Sequence, residues 1–133
     1  QVCISYMDID DFKKINDTFG HHIGDEILIE CARRIKKTIR NTDTLSRIGG
    51  DEFLLLAQNI TCINDMDLII KRMIKECSQP FTIKNNEINI SLSIGISNYP
   101  KDAKDLKALI IKADKAMYKC KNNKKLNYKY HAD

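Results

Sequence analysis

Apolar residues in the first half of the chain follow two spacings, and these predict its first secondary-structure elements. Residues 2–7 form a short, largely apolar run with strand character. From Ile23 to Ile39 an apolar residue recurs every fourth position, with Leu28 and Ala32 widening the stripe, as in an amphipathic helix. The elements predicted here are a strand at 2–7, helices at 11–18 (capped by Asp10 or Asp11) and 22–39, and a hairpin of strands at 44–48 and 53–57.

The second half of the chain also contains patterns typical of strands and helices. Residues 87–97 alternate strictly between isoleucine or leucine and small or polar residues, which predicts one strand with one buried face. Helices are predicted at 64–77, capped by Asn64, and at about 105–121, with strand 81–83 between them and a candidate edge strand in the tail. The apolar side of the last helix is predicted to comprise Leu106, Leu109, Ile110, Ala113 and Met117. The order β-α-α-β-β-α-β-β-α predicts an α+β sandwich with a mixed sheet flanked by helices.

Length and composition favour a single globular domain at 1–133. A chain of 133 residues is long enough for a core of its own. Five cysteines without a Cys-x-x-Cys pair predict buried thiols in a reducing compartment rather than a zinc site. No apolar run is long enough to span a membrane. Because the chain opens with Gln1 and enters a strand at once, we expect a cytoplasmic domain cut from a longer multidomain protein.

The net charge of +4 is mild, but lysines crowd the last quarter of the chain. Most of them are interpreted as a solvated helix face. Since no recognisable nucleic-acid motif accompanies them, we expect no nucleic-acid partner.

Two acidic clusters carry the candidate chemistry. Gly49 and Gly50 precede Asp51 and Glu52 between strand-like runs, which predicts a tight turn that presents acid. In this turn glycine can supply positive φ, and its missing Cβ lets a bulky ligand approach the backbone. Asp8 ends the first strand, so both clusters can lie side by side in a sheet. Facing carboxylates repel unless a cation lies between them, and oxygen ligands favour magnesium or manganese over zinc. The alternative is an ordinary surface turn with solvated acids.

Further motifs stand at fixed separations around these acids. Along the chain they are Asp8-Ile9-Asp10, Phe12-Lys13-Lys14-Ile15-Asn16-Asp17-Thr18-Phe19-Gly20-His21, Gly24-Asp25 and Gly49-Gly50-Asp51-Glu52-Phe53. With them in register from about residue 2 to 125, the chain resembles the GGDEF domain of diguanylate cyclases. The resemblance implies the ferredoxin-like palm shared with nucleotidyl cyclases and polymerases. It also implies a bacterial signalling enzyme that condenses two GTP molecules into cyclic di-GMP and releases two pyrophosphates.

The resemblance also implies roles for single residues. Asp8, the backbone carbonyl of Ile9, and Asp51 match the metal ligands, with two Mg²⁺ or Mn²⁺ ions per active site. Asp51 matches the residue credited with drawing the proton from the attacking hydroxyl, and Glu52 is an accessory catalytic residue. The substrate-binding positions implied are Phe12, Lys13, Asn16, His21, Asp25, Lys121 and Lys125.

Among these positions, Asn16 and Asp25 match the guanine readers. Lys13, Lys121 and Lys125 match phosphate contacts, and Lys125 replaces the arginine usual in the family, which loses the bidentate fork. Each of these residues has a plain structural alternative as a solvated or helix-end side chain.

An Arg-x-x-Asp pair, Arg40 and Asp43, stands at the spacing of the family's inhibitory site. The resemblance implies feedback by cyclic di-GMP through this pair, with Lys71 or Arg72 as a second cation. It also implies a transient antiparallel homodimer and a covalently linked sensor or regulatory domain. The competing hypotheses are a catalytically silent module that binds cyclic di-GMP or GTP, and a scaffold that uses the lysine-rich last helix.

Overall fold

A computed structural model describes residues 1–123 and 127–131, which fold into a five-stranded sheet with helices on both faces. Within this part of the chain, no helix is long and apolar enough to cross a bilayer. The elements are β1 (Val2–Ile9), α1 (Phe12–Phe19), α2 (His21–Thr38), β2 (Thr44–Arg47), β3 (Glu52–Gln58), α3 (Ile63–Cys77), β4 (Phe81–Ile83), β5 (Asn86–Ile88), β6 (Leu92–Tyr99), α4 (Leu106–Lys121) and β7 (Tyr128–Tyr130).

The central sheet is mixed, with strand order β2-β3-β1-β6-β7. The middle strand β1 runs antiparallel to both β3 and β6, whereas β7 runs parallel to β6 at the edge. This arrangement confirms the predicted α+β class and the edge strand expected in the tail. Because β1 is central, its end brings residues of three strands to one edge of the sheet.

Helices α2 and α3 cover one face of the sheet and α4 covers the other. The apolar stripe predicted for α2 packs there, since Ile27, Cys31 and Ile35 are fully buried in the larger core cluster. On the opposite face Ile4 of β1 packs with Leu109 and Ala113 of α4. Four of the five cysteines are buried, in agreement with the sequence analysis. The last turn of α4 therefore reaches the same edge as the end of β1.

The strand predicted at 87–97 is wrong in two respects. The chain leaves strand geometry at 89–91, so that β5 pairs with β4 in a small separate sheet and β6 joins the central one. In addition both faces of β6 are buried, with Ser93 2% and Ser97 0% exposed. Their small size admits the backbone of α4, and the hydroxyl of Ser97 donates to the carbonyl of Leu109 at 2.6 Å. Small polar residues here mark close helix packing rather than solvent.

Two predicted helix features also need correction. Helix α3 begins at Ile63 with Cys62 as its N-cap, instead of being capped by Asn64, because the amide of Asp65 already donates to the carbonyl of Cys62. Leu106 is 57% exposed rather than buried, since it lies in the first turn of α4, ahead of the residues that pack on the sheet. The N-cap of α4 is Asp105, whose carboxylate accepts from the amide of Ala108.

A buried arginine joins α2 to the end of α3. The guanidinium of Arg34 donates to the carbonyl oxygens of Glu76, Gln79 and Pro80 at 3.1, 2.7 and 2.9 Å. It also lies 3.7 Å from the ring centroid of Phe81. The Glu76 carbonyl belongs to the last turn of α3, where it also accepts from the amide of Gln79, and the other two belong to the loop after the helix. Arg34 thus satisfies backbone groups that α2 would otherwise bury.

Candidate functional site

The two acidic clusters meet at the edge where β1 ends. Asp8 stands opposite Glu52 in the register of β1 and β3, and the amide of Ile9 donates to the carbonyl of Asp51 at 3.2 Å. The strand end and the hairpin acid are therefore neighbours across one ladder, as the sequence analysis expected. The side chain of Ile9 is buried in the core, so only its backbone faces this edge.

Asp8 is the most perturbed carboxyl group of this edge. Burial and the nearby carboxylate of Asp51 raise the pKa of Asp8 to about 7, while the hydrogen bond and charge of Lys121 lower it. The ammonium of Lys121, from the last turn of α4, lies 2.6 Å from Asp8 Oδ2. Burial alone would lower the pKa of Lys121, but Asp8, Asp51 and Asp10 raise it on balance. Three elements thus bring several carboxylates and the ammonium of Lys121 together around the buried Asp8.

This edge fits a divalent cation. Asp8 Oδ1 is buried and accepts no hydrogen bond, which is costly for a carboxylate oxygen unless a cation occupies its lone pairs. Within residues 1–123 and 127–131, no three His, Cys, Asp or Glu side chains form a complete ligand set. Magnesium is usually held by one or two carboxylates together with water and substrate phosphates, so Asp8 and Asp51 are a sufficient protein contribution.

The double-glycine turn differs from its prediction. Neither Gly49 nor Gly50 has positive φ, so the turn does not depend on left-handed backbone. Arg47 holds it instead, because its Nε lies 3.1 Å from the carbonyl oxygen of each glycine. A side chain at Gly49 would meet Glu52 Oε1 at 2.7 Å, whereas a Cβ at Gly50 would have no heavy atom within 4 Å. Gly50 therefore leaves the backbone beside the acids open to a bulky group.

Glu52 is directed toward Tyr6 on the α4 side of the sheet. Burial and the charge of Glu52 raise the pKa of Tyr6 to about 12, with a hydrogen bond between the two side chains contributing. Glu52 is neither buried nor fully exposed. The structure thus gives it a protein partner beside the predicted metal ligands.

A second group of predicted residues lies between α1 and α2. Asn16 Oδ1 is buried without a hydrogen-bond partner and lies against Gly24, where a Cβ would come within 1.8 Å of it. The ring of Phe12 is also at Gly24, 3.3 Å from the position of that Cβ. Asp25 is the next residue of α2 and is exposed. Phe12 and Asn16 therefore meet at Gly24, where α1 contacts α2 and one buried polar atom has no partner.

The family model described as "Diguanylate cyclase, GGDEF domain" matches residues 1–127. The chain belongs to the GGDEF family. This confirms the resemblance seen in the motifs and the fold that it implied.

Individual relatives agree with this assignment. The bifunctional diguanylate cyclase/cyclic di-GMP phosphodiesterase MucR of Pseudomonas aeruginosa is 43% identical over 94% of this chain and 18% of its own length. Diguanylate cyclase A of Treponema denticola is 41% identical over 90% of this chain and 32% of its own length. The crystal structure of the GGDEF domain of PA1120 (YfiN or TpbB) from P. aeruginosa has a TM-score of 0.94 and 32% identity, covering 99% of this chain and 83% of that one. The chain thus spans a third or less of these two curated relatives.

In this GGDEF domain the Arg-x-x-Asp pair is closed on itself. Arg40 donates through Nη2 to Asp43 Oδ1 at 2.8 Å and through Nε to Oδ2 at 3.1 Å. The same Nη2 reaches the carbonyl oxygen of Gln58 at 2.6 Å, and the side chain of Asp43 is 0% exposed. Lys71 is exposed on α3. Arg40 and Asp43 are therefore each other's partners, and a ligand that binds to both has to open this pair.

The remaining predicted residues of the GGDEF domain are peripheral to these contacts. Lys13 and His21 are exposed, on α1 and at the first position of α2. Lys125 lies outside the described residues. Asp11 occupies the N-cap position of α1 but makes no side-chain capping hydrogen bond.

Asp10, whose only predicted role is as a possible cap, makes contacts that the sequence analysis missed. Its carboxylate accepts hydrogen bonds from the hydroxyls of Ser91 and Ser93, both at 2.6 Å. The available signal was an acid next to the motif together with serines at alternating positions near the start of a strand. The pairing itself spans more than 80 residues of sequence and cannot be read from either segment alone.

Proposed function

We propose that this domain is a diguanylate cyclase, which condenses two GTP molecules into cyclic di-GMP and releases two pyrophosphates. The observation that carries the proposal is the meeting of Asp8, Asp51 and Lys121 at one edge, with Asp8 Oδ1 left without a partner. Membership of the GGDEF family and the names of the relatives point to the same reaction.

In this proposal the carboxylates of Asp8 and Asp51 and the backbone of Ile9 hold Mg²⁺ or Mn²⁺, two ions per active site. When bound, the metal supplies Lewis-acid stabilisation of the charge that develops on the phosphoryl oxygens and lowers the pKa of the attacking 3′-hydroxyl. Asp51 accepts the proton of that hydroxyl, and Glu52 supports the site beside it. Lys121 contributes positive charge at the same edge and binds phosphate oxygens.

Guanine selection is assigned to a proposed cleft between α1 and α2, beside Asn16, Gly24 and Asp25. Asp25 accepts from the N1–H and N2–H donors of the base, Asn16 adds a complementary polar contact, and Phe12 and His21 line the cleft. Adenine lacks this donor pair, so it forgoes both hydrogen bonds to Asp25 and binds more weakly than guanine. Lys13 and Lys125 complete the proposed phosphate contacts.

The proposed reaction needs two GTP molecules, one in each half of a transient antiparallel homodimer. The partners are therefore GTP, cyclic di-GMP as product and feedback ligand, and a second copy of the domain. A linked sensor or regulatory domain fits the third or less of each curated relative that this chain spans. We place the domain in the cytoplasm, where GTP is available.

The direct test is to incubate the domain with GTP and Mg²⁺ at several protein concentrations and to separate the products by chromatography. We expect cyclic di-GMP and pyrophosphate in a 1:2 ratio and a specific activity that rises with protein concentration, because two half-sites must meet. Formation of no product at high protein concentration would contradict the proposal. The same assay with ATP should yield no cyclic product.

Replacing Gly24 with alanine is expected to weaken GTP binding without unfolding the domain. The new Cβ would lie 1.8 Å from Asn16 Oδ1, so the flexible Asn16 side chain must turn away from its present position. Alanine is favoured over glycine inside a helix by about 1 kcal/mol, so α2 should not be weakened. We expect the KM for GTP to rise about tenfold or more, as for a lost hydrogen bond to a base, with a much smaller change in kcat.

The measurement is steady-state kinetics with GTP, together with the thermal unfolding midpoint of both proteins. Ile29→Ala is a suitable control on α2, because Ile29 is 71% exposed and lies away from the cleft. An unchanged KM in the Gly24→Ala variant would show that the position of Asn16 does not govern GTP binding.

We also propose product inhibition through Arg40 and Asp43, with Lys71 or Arg72 as a further cation. Cyclic di-GMP added to the native domain should lower the rate of GTP turnover. Arg40→Lys keeps the charge beside the buried Asp43 but loses the bidentate fork, so about tenfold more product should be needed for the same inhibition. Arg33→Lys, an exposed arginine on α2, is the matched control. Equal inhibition curves for the native and Arg40→Lys proteins would rule out this site.

The second candidate is a catalytically silent GGDEF module that binds cyclic di-GMP or GTP and signals through a linked domain. It is favoured by one observation, namely that a relative 38% identical to 91% of this chain, PdeR of Escherichia coli, is named as a cyclic di-GMP phosphodiesterase and not as a cyclase. Binding of either nucleotide without any cyclic di-GMP formation in the assay above would establish it.

A further inference from the structure

Asp10 is held by three hydrogen bonds, two of them to its carboxylate, between the turn after β1 and the approach to β6. Ser91 Oγ donates to Asp10 Oδ2 and Ser93 Oγ donates to Oδ1, each at 2.6 Å. The backbone amide of Asp10 also donates to the carbonyl of Ser91 at 2.9 Å. Hydroxyl donors form short hydrogen bonds with a carboxylate, so these two bonds attach Asp10 to the approach to β6.

Ser93 is well placed to transmit this attachment. It is 2% exposed and stands directly opposite Asp8 in the register of β1 and β6. A hydrogen bond also links Ser93 to the thiol of Cys120, the residue before Lys121 on α4. Asp10, Ser93 and Lys121 line the same pocket of about 400 Å³. The contacts of Asp10 thus reach the strand and the helix that carry Asp8 and Lys121.

The residue that follows Asp10 in this turn has an unfavourable backbone conformation and no side-chain capping bond. Asp11 follows with φ 55°, in the left-handed region that a non-glycine residue adopts at a cost. As the N-cap of α1 it makes no side-chain capping hydrogen bond, so the usual support of a helix start is missing. Asp8 and Ile9 precede the turn, and Lys13 and Asn16 follow it on α1. The geometry of this one turn therefore relates the proposed metal ligands to the proposed guanine reader.

We propose that Asp10, Ser91 and Ser93 form a positioning clamp for the nucleotide site, which fixes the turn between β1 and α1. The proposal rests on the proposed function, since it assigns a role in GTP binding to residues that need not touch GTP. Asp10 acts through its neighbours and is a positioning residue. The competing reading is that Asp10 acts through its negative charge, as a further metal ligand or as a counter-charge to Lys121.

Asparagine at position 10 separates the two readings. Its side chain has one acceptor and one donor where aspartate has two acceptors, and a serine hydroxyl can rotate to donate or to accept. Asp10→Asn therefore keeps both contacts and removes the charge. Asp10→Ala removes the contacts and the charge, and the double variant Ser91→Ala with Ser93→Ala removes the contacts and keeps the charge.

The experiment measures affinity for a non-hydrolysable GTP analogue, α,β-methylene GTP with Mg²⁺, by calorimetry, and kcat and KM for GTP. We expect Asp10→Asn to stay within about threefold of the native affinity, and Asp10→Ala and the double serine variant to lose about tenfold or more, as for one or two lost charge-assisted hydrogen bonds. The loss should lie mainly in KM and in analogue affinity. Ser46→Ala, an exposed serine of β2, should match the native protein.

All variants are compared well below their thermal midpoints, where a merely structural residue would leave affinity unchanged. If the double variant does not fold, Ser91→Ala replaces it, because Ser91 is exposed and its loss removes one hydrogen bond. Equal losses in Asp10→Asn and Asp10→Ala would overturn the clamp in favour of a charge effect. Native affinity in Asp10→Ala, measured on folded protein, would overturn it as well.

The affinity for the GTP analogue separates a failure of the clamp proposal from a failure of the proposed function. A native domain that binds the analogue but forms no cyclic di-GMP contradicts the cyclase proposal, while the comparison of analogue affinities still decides the clamp. A native domain that does not bind the analogue contradicts both.

Discussion

The Asp51→Asn variant is expected to lose turnover of GTP by about a thousandfold or more. Asp51 is the residue to which both metal binding and proton removal are assigned, and metal ions in such sites contribute several kcal/mol of transition-state stabilisation, with each ~1.4 kcal/mol worth a factor of ten. Asparagine has the same shape, but its amide is a poor ligand for magnesium and accepts no proton. The fold should survive, because the backbone contact from Ile9 to Asp51 uses the carbonyl oxygen, which asparagine retains.

One further measurement and one control variant make the result interpretable. Mg²⁺ should raise the thermal midpoint of the native domain, and the rise should be smaller in Asp51→Asn, since ligand binding stabilises the folded state. Asp17→Asn, an exposed acid on α1, makes the same change of charge and shape and should keep native activity. If Asp51→Asn retains turnover within tenfold of the native rate, Asp51 is not essential and the proposed site is wrong.

The sequence predicted that the two acidic clusters lie side by side, because each cluster stands at the end of a strand. Asp8 lies near the end of β1, and Asp51 directly precedes β3. Antiparallel pairing of β1 with β3 is therefore enough to bring them together. The stripe of α2 was predictable for a similar reason, since a helix with apolar residues at every fourth position has one face that must be covered. Lys121 came from the family resemblance alone, because its ion pair with Asp8 joins residues 113 positions apart.

The failures share a different physical cause. Ser93, Gly95 and Ser97 alternate with isoleucine and were interpreted as a solvated face, although α4 lies on them. A pattern of polarity cannot distinguish a small residue that faces solvent from one that packs closely against a helix, because that helix lies elsewhere in the chain. For the double-glycine turn the predicted positive φ is wrong, whereas the open space beside Gly50 agrees with the predicted room for a bulky ligand.

Replacing Gly95 with alanine is expected to lower the free energy of unfolding by about 3 kcal/mol or more, the upper range for overpacking a core. The added Cβ would lie 2.0 Å from the carbonyl oxygen of Ala113 and 2.2 Å from the amide nitrogen of Met117. Both are backbone atoms of α4, so no side-chain rotation can relieve the contact and the helix must move away from β6. Chemical denaturation of both proteins gives the measurement.

Gly50→Ala is the matched control for stability, because a Cβ there meets no heavy atom within 4 Å and φ is not positive, so its effect should stay within about 1 kcal/mol of zero. An unchanged stability of Gly95→Ala would mean that α4 does not rest on the backbone of β6.

The outward shift of α4 expected in Gly95→Ala also predicts a change in nucleotide binding. Helix α4 holds Lys121 at 2.6 Å from Asp8, so an outward shift of α4 should weaken phosphate binding while leaving the cleft between α1 and α2 in place. In folded Gly95→Ala protein the affinity for GTP should therefore fall more than the affinity for guanosine, which lacks phosphates.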